Sequence, residues 1–437
     1  MRSAEANTPR PVVGFAGMTH LGIVSASVIA GRGFQTICYD PDAARIAQLA
    51  AGNLPITEPE LDALVRGNGG RQVFTSNLED IAKCDVVYIA PDVPTDDAGQ
   101  SDLNPISALI ERVVASLQPD AVLVILCQVP PGFTRAIRGI DPARLYYQVE
   151  TLVFGIAVQR AREPERYIIG CADPAAPINP RLHAVLAAGC PVLPMRYESA
   201  ELAKIAINCC LVSSISVANT LSELCEKIGA DWSEIVPALK LDARIGPRAY
   251  LAPGLGIAGG NLERDLATII GLAGRHGTND DVVRAWLTNS RHRRGWAART
   301  LEEALLAKKP GATVAVWGLA YKENTHSTKN SPSLATLSAL PNGRFVVHDP
   351  VVRAAEVSVP NLSQVPEPLD ALAGAEALMI LTPWPQYRAI APREIAAKLG
   401  GRLILDPYRV LDRHAAIAEH LDYRSLGVPE APGAAGP

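Results

Sequence analysis

Residues 11–40 read PVVGFAGMTHLGIVSASVIAGRGFQTICYD, and the fold follows from this stretch. A short apolar run ends at Gly17, an apolar helical stretch closes at Gly31 and Gly33, and a second apolar run ends in Asp40. Working outward, AARIAQLAAG reads as a helix, CDVVYIAPDV as a strand, ISALIERVVASL as a helix and AVLVILCQV as a strand. YYQVET and RYIIGC read as two further strands and PRLHAVLAAG as a helix. Strands that are apolar throughout and alternate with helices predict a parallel sheet covered on both faces.

The first strand enters its helix through Gly17-Met18-Thr19-His20-Leu21-Gly22. A dinucleotide-binding turn has the form G-x-G-x-x-G at this junction, with an acid about 20 residues on for the adenosine ribose. The outer glycines are present, Thr19 replaces the middle one, and Asp40 supplies the acid. Glycine at the middle position lets the backbone approach the pyrophosphate, whereas threonine crowds it while offering a hydroxyl. A carboxylate at Asp40 favours NAD over NADP, whose 2'-phosphate it would repel. Taken alone, the loop reads equally well as a tight turn that packs a helix on a sheet.

From Ser199 to about Leu241 apolar residues recur at three and four, which predicts a long spine helix ending at Gly229. DWSEIVPALK restarts a helix, and residues 278–308 are again helical in pattern. The last third returns to strands (ATVAVWGLA, GRFVVHDP, ALMILTPW, GRLILDPY) with SPSLATLSAL as a helix. The predicted fold class is α/β, two Rossmann-like parallel-sheet domains joined by a long helical connector. The boundaries read as 1–195, 196–305 and 306–427, and the Pro/Gly/Ala-rich residues 428–437 read as a disordered tail. No sequence repeat between the two α/β ends can be aligned.

A chain of 437 residues suits two or three domains. With 48% hydrophobic residues, 20% charged residues and a net charge of -4, it has ordinary globular composition and no basic stripe for nucleic acid. No run of 18 apolar residues suggests a membrane span, and the opening residues resemble no signal peptide. The 8 cysteines show no metal spacing, so free thiols in the cytoplasm and no metal site are expected.

The second informative loop is APGLGIAGGNLERD, Ala252 to Asp265. Its glycines imply backbone laid against a ligand or another loop. Residues Pro253 to Asp265 resemble, nearly position by position, the P-G-F-G-F-G-G-S-C-F-P-K-D loop of the nucleotide-sugar dehydrogenases, the UDP-glucose and GDP-mannose 6-dehydrogenases. Further marks of that family recur in order. Gln148-Val-Glu150-Thr-Leu152 stands for N-P-E-F-L, and Glu201, Leu202, Lys204 and Asn208 match E-L-x-K-x-x-x-N. Arg244 to Pro247 match R-I-G-P, and Gly318 to Lys322 with Thr325 match G-L-A-F-K-x-x-T. Ser331-Pro332, Asp349-Pro350 and Thr382-Pro383-Trp384 follow.

The resemblance implies an N-terminal domain for NAD, a C-terminal domain for the nucleotide of a UDP- or GDP-hexose, and a homodimer or higher oligomer built on the helical connector. It implies two successive hydride transfers from C6, with a thiolate capturing the intermediate aldehyde. By the same resemblance the cofactor residues are Gly17, Thr19, His20, Leu21, Gly22, Asp40, Pro94, Thr95, Gln128 and Lys329. The substrate residues are Glu150, Leu152, Lys204, Arg244, Leu255, Gly256 and Lys322. The catalytic set is Lys204, Asn208, Asp265 and Glu150, with Asn261 where the family has its cysteine. Asn208 lies one turn after Lys204 and is placed to hold an oxyanion. Gln128 replaces the threonine of S-T-V-P, while Cys127 stands where the family has serine and is not read as a relocated nucleophile. His326, Lys329 and the segment Asp406-Pro407-Tyr408-Arg409 also depart from the family pattern.

An amide at 261 is neither nucleophile nor base. The resulting expectation is an NAD-dependent oxidoreductase with altered chemistry: one hydride step to an aldehyde, or redox-neutral turnover. The alternatives are complete oxidation without a covalent intermediate and a non-catalytic relative that binds a nucleotide sugar.

Overall fold

The computed structural model describes residues 10–96 and 99–429, which fall into two compact units. The break lies at Ala206/Ile207, inside one helix, and residue 99 groups with the second unit.

The first unit is built on an eight-stranded sheet of order β3-β2-β1-β4-β5-β6-β7-β8. The strands are β1 (Val13–Ala16), β2 (Thr36–Tyr39), β3 (Gln72–Thr75), β4 (Val86–Ile89), β5 (Val122–Ile125), β6 (Leu145–Gln148), β7 (Tyr167–Cys171) and β8 (Val192–Arg196). All pairs are parallel except β6 with β7. The central strands β1, β4 and β5 are buried at every residue, as helices on both faces require. QVFT and VLPMR are strands that hydrophobic pattern alone did not mark, since both sit at sheet edges and are partly exposed.

The second unit carries a six-stranded sheet of order β11-β10-β9-β12-β13-β14, parallel throughout. Its strands are β9 (Thr313–Trp317), β10 (Arg344–His348), β11 (Leu362–Gln364), β12 (Ala377–Ile380), β13 (Leu403–Leu405) and β14 (Asp422–Arg424). Val314, Val316, Trp317, Leu378, Ile380 and Ile404 form the centre of its core. The chain end is packed further than composition suggested: Val428 is buried, and the Pro429 carbonyl accepts from Arg413. The rest of the predicted tail, residues 430–437, lies outside the described residues.

The spine helix runs Tyr197–Ile228. By length and composition it is apolar enough to cross a bilayer, with mean hydropathy 1.5. Its buried positions, however, include Glu201, Asn208, Ser216, Asn219 and Ser222, polar side chains that need protein partners. Glu201 accepts from the backbone N–H groups of Gly132 (2.6 Å) and Thr134 (2.8 Å). Burial raises its pKa above the usual carboxylate value.

The two sheets share one construction that the sequence does not display. Gly17 and Gly318 both have φ of +99° at the exit of a first strand. Asp40 accepts from the Met18 N–H (2.7 Å), and Asp349 accepts from the N–H groups of Leu319 (2.7 Å) and Ala320 (3.2 Å). A Cβ on Gly17 would lie 2.7 Å from Pro91, and one on Gly318 would lie 2.3 Å from Thr382. Each turn is thus braced by the acid at the end of the second strand and packed on the residue two past the fourth.

Candidate active site

The turn of the first unit, Gly17 to Gly22, holds half of the residues expected to meet a cofactor. Gly22 admits no side chain, because a Cβ there would lie 1.9 Å from the Gly17 carbonyl oxygen. Leu21 is buried. His20 opens the helix His20–Gly31. Its imidazole meets the buried Glu58 at 2.8 Å and the ring of Phe154 at 4.1 Å. Glu58 also accepts from the Gly155 and Ala157 N–H groups, so the His20 side chain belongs to a structural tie. Asp40 pairs with Arg45 at 3.0 Å.

Two contacts complete this turn. The Thr19 hydroxyl accepts from the Asp92 N–H at 2.7 Å, and the His20 N–H donates to the Asp92 carboxylate at 3.0 Å. The expected hydroxyl-to-phosphate role of Thr19 therefore has a protein partner already in place. Pro94 and Thr95 follow in the same loop, where the Thr95 hydroxyl donates to the Val93 carbonyl. Gln128 lies just past β5, half-buried.

The dinucleotide fits this turn in one respect: Asp40 stands at the end of β2, where an acid meets the adenosine ribose. The diphosphate position at the helix start is where Asp92 stands.

A first polar cluster of catalytic type lies in the same unit. Lys204 Nζ meets Glu150 Oε1 at 2.8 Å, with only 12% and 15% of the two side chains exposed. The other Glu150 oxygen accepts from the Leu152 N–H at 2.9 Å, which fixes the carboxylate after β6. The lysine charge that stood alone in an apolar stretch of sequence is thus paired, as burial demands. Glu150 and Leu152 line a cavity with Phe15, Leu21, Tyr88 and Arg160.

A second cluster lies in the other unit. Asn208 donates to Asp265 at 2.5 Å, and both are buried. Arg264 Nε stands 3.5 Å from the other Asp265 oxygen. Asp265 belongs to the helix Asn261–His276 and not to the glycine loop, which ends at Gly260. Asn261 is the first residue of that helix and is exposed, one turn before Asp265. The loop itself is held tightly. Leu255 is buried, and a Cβ on Gly256 (φ +76°) would lie 2.4 Å from the Ser290 carbonyl oxygen. Ser290 Oγ accepts from the Ile257 N–H, Arg294 bonds the Ile257 carbonyl and Glu263, and Asn330 bonds the Gly259 carbonyl. Ser290, Arg294 and Asn330 were not read from the sequence. Nothing in their spacing marks them, since each reaches the loop only through the fold.

Lys329 packs beside Gly260, and Tyr321 beside Gly259 with the Lys322 ammonium 5.7 Å from its ring centre. The structure thus puts Lys329, expected at the cofactor, beside the same loop as Leu255 and Gly256, expected at the substrate. Arg244 is 89% exposed and pairs with Asp242 at 2.6 Å.

Cys209 follows Asn208 and is near enough to Asp265 to feel its charge; burial and that carboxylate push its pKa up to about 11. Burial pushes Cys127 up to about 12. Burial thus keeps both thiols protonated at neutral pH.

Three family models match the chain in order. Residues 12–185 match the NAD binding domain of the UDP-glucose/GDP-mannose dehydrogenase family, 198–291 its central domain and 315–413 its UDP binding domain. The UDP-glucose 6-dehydrogenase of Pseudomonas aeruginosa is 31% identical over 441 residues, covering 95% of this chain and 97% of that protein. That of Rhizobium meliloti is 30% identical over 433 residues, covering 95% and 99%. Among solved structures, a UDP-glucose dehydrogenase from Pyrobaculum islandicum superposes with a TM-score of 0.83 at 27% identity, over 96% of this chain and 98% of that one.

Proposed function

Since the chain belongs to the UDP-glucose/GDP-mannose dehydrogenase family, NAD-dependent enzymes that oxidise C6 of a nucleotide sugar, we propose that it removes one hydride from C6 of a UDP- or GDP-hexose and not two. The product is the 6-aldehyde, or an isomer if the hydride is returned. One observation carries this reading: the proton-handling side chains are held in place while the start of the Asn261–His276 helix bears an amide.

NAD, when bound by the Gly17–Gly22 turn and Asp40, supplies the hydride acceptor. The chain's own residues do the rest. The hydroxyl proton passes to a carboxylate, and Asp265 and Glu150 are the two that buried partners orient. The Lys204 ammonium and the Asn208 amide stabilise the negative charge that develops on O6. Lys204 and Asn208 are four residues apart on one helix, one turn along the same face. At residue 261 no sulfur adds to the aldehyde, so no thiohemiacetal forms and the second oxidation has no covalent intermediate to start from.

The test is product identity. The chain, excess NAD and a panel of UDP- and GDP-hexoses are incubated with a hydrazine trap and read by mass spectrometry. A trapped aldehyde or an isomerised sugar is expected, and a uronic acid refutes the reading. The Asp92 contact favours one competitor, a chain that binds nucleotide sugar without turning it over; sugar recovered unchanged from every incubation would establish it instead.

A further inference from the structure

The N-terminus of the first helix after β1 is where a dinucleotide turn receives the diphosphate, because the free N–H groups and the helix dipole both attract an anion. In this chain an anion of its own stands there. The His20 N–H donates to Asp92 Oδ2 at 3.0 Å, across 72 residues of sequence. The Asp92 N–H in turn donates to Thr19 Oγ1 at 2.7 Å, and Thr19 is the side chain at the position of the middle glycine. The two departures from an open turn thus bond to each other. Pro91 holds the segment in place, packed on Gly17 where no Cβ fits.

The second unit offers a comparison for the glycine turn itself. Its equivalent turn has the same glycine geometry and the same bracing acid, Asp349, and Thr382 packs on Gly318 as Pro91 packs on Gly17. The residue after Thr382 is Pro383, which carries no charge. The glycine turn and its bracing acid therefore form without a carboxylate at this place, whereas only the first turn leads straight into a helix, at His20; after the second the next helix begins at Pro332. Asp92 itself is exposed, so no core packing explains it.

We propose that Asp92 is an internal competitor for the diphosphate of the cofactor, setting the affinity of the first unit for dinucleotides. Binding requires the carboxylate to leave the His20 N–H, and a carboxylate that stays nearby repels the incoming phosphates. This inference rests on the NAD binding domain of the family and not on the chemistry proposed at C6.

Calorimetric titration of the full chain with NAD, ADP-ribose and adenosine tests it, using wild type, Asp92→Asn, Asp92→Gly and Thr19→Gly. The two Asp92 variants are expected to bind NAD and ADP-ribose about tenfold tighter or more, with adenosine unchanged because it has no diphosphate. Thr19→Gly, which frees the latch from the other side, is expected to shift the same way. Equal NAD affinity in wild type and both Asp92 variants overturns the proposal, as does a gain that extends equally to adenosine. No binding by any of the four chains, with a normal unfolding transition in each, also overturns it, since removing the competitor would then open no site. That outcome would leave the product test above untouched.

Discussion

An exposed side chain at the first position of a helix is a favourable place for a thiolate, because the helix N-terminus lowers a cysteine pKa. Asn261 occupies such a place, while the nearby native thiol, Cys209, is held up at about 11. Asn261→Cys should therefore react with iodoacetamide at neutral pH at least about tenfold faster than any native cysteine, and should yield some uronic acid. Unchanged labelling, read by peptide mass spectrometry, would show that position 261 is not poised for a nucleophile. Lys204→Ala leaves Glu150 without its partner in a largely buried place. It should lower turnover by roughly 100-fold or more; a variant within a few-fold of wild type would remove Lys204 from the chemistry. The types and spacing of these residues were legible in the sequence, but their partners were not. The spacing of Lys204 and Asn208 is helical and local, whereas the Lys204 contact with Glu150, the Asn208 contact with Asp265 and the Asp92 latch each join distant segments.

The spine helix is the element whose sequence spoke most clearly, since its apolar spacing persists for nine turns. Its far half leaves Val217, Leu221, Leu224 and Ile228 exposed at intervals of four, three and four, which is one stripe of a helix. We propose that this stripe is buried against a second copy. Leu221→Glu with Leu224→Glu should convert a dimer to a monomer in sedimentation; an unchanged mass would put the subunit contact elsewhere. The helix Asn261–His276 was less legible. The glycine run before it argued for a continuing loop, and its apolar positions Leu262, Leu266, Ile269, Ile270 and Ala273 begin only where the loop ends.

On the scale of the whole molecule, one construction is used twice with different fittings. The order of elements revealed both sheets, because apolar strands alternating with helices leave few other arrangements. The shared turn was hidden, since it depends on a φ value, an acid and a packing contact rather than on aligned residues. The second sheet also carries a buried imidazole. His348 bonds Tyr387 at 2.9 Å, and burial lowers its pKa below the usual 6.5. The unfolded chain therefore takes up this proton first as pH falls through 6.5, and folding stability declines with it. The melting temperature should drop between pH 7.5 and pH 5.5, and His348→Gln should reduce the drop; an identical drop in the variant would clear His348 of the effect.

The proposed chemistry turns on the number of hydrides the chain removes. Wild-type protein at saturating NAD, with a hexose nucleotide it consumes or isomerises, gives that number as the ratio of NADH formed to sugar converted. A single hydride step gives a ratio of one or less, and two NADH per sugar with a uronic acid product would contradict it.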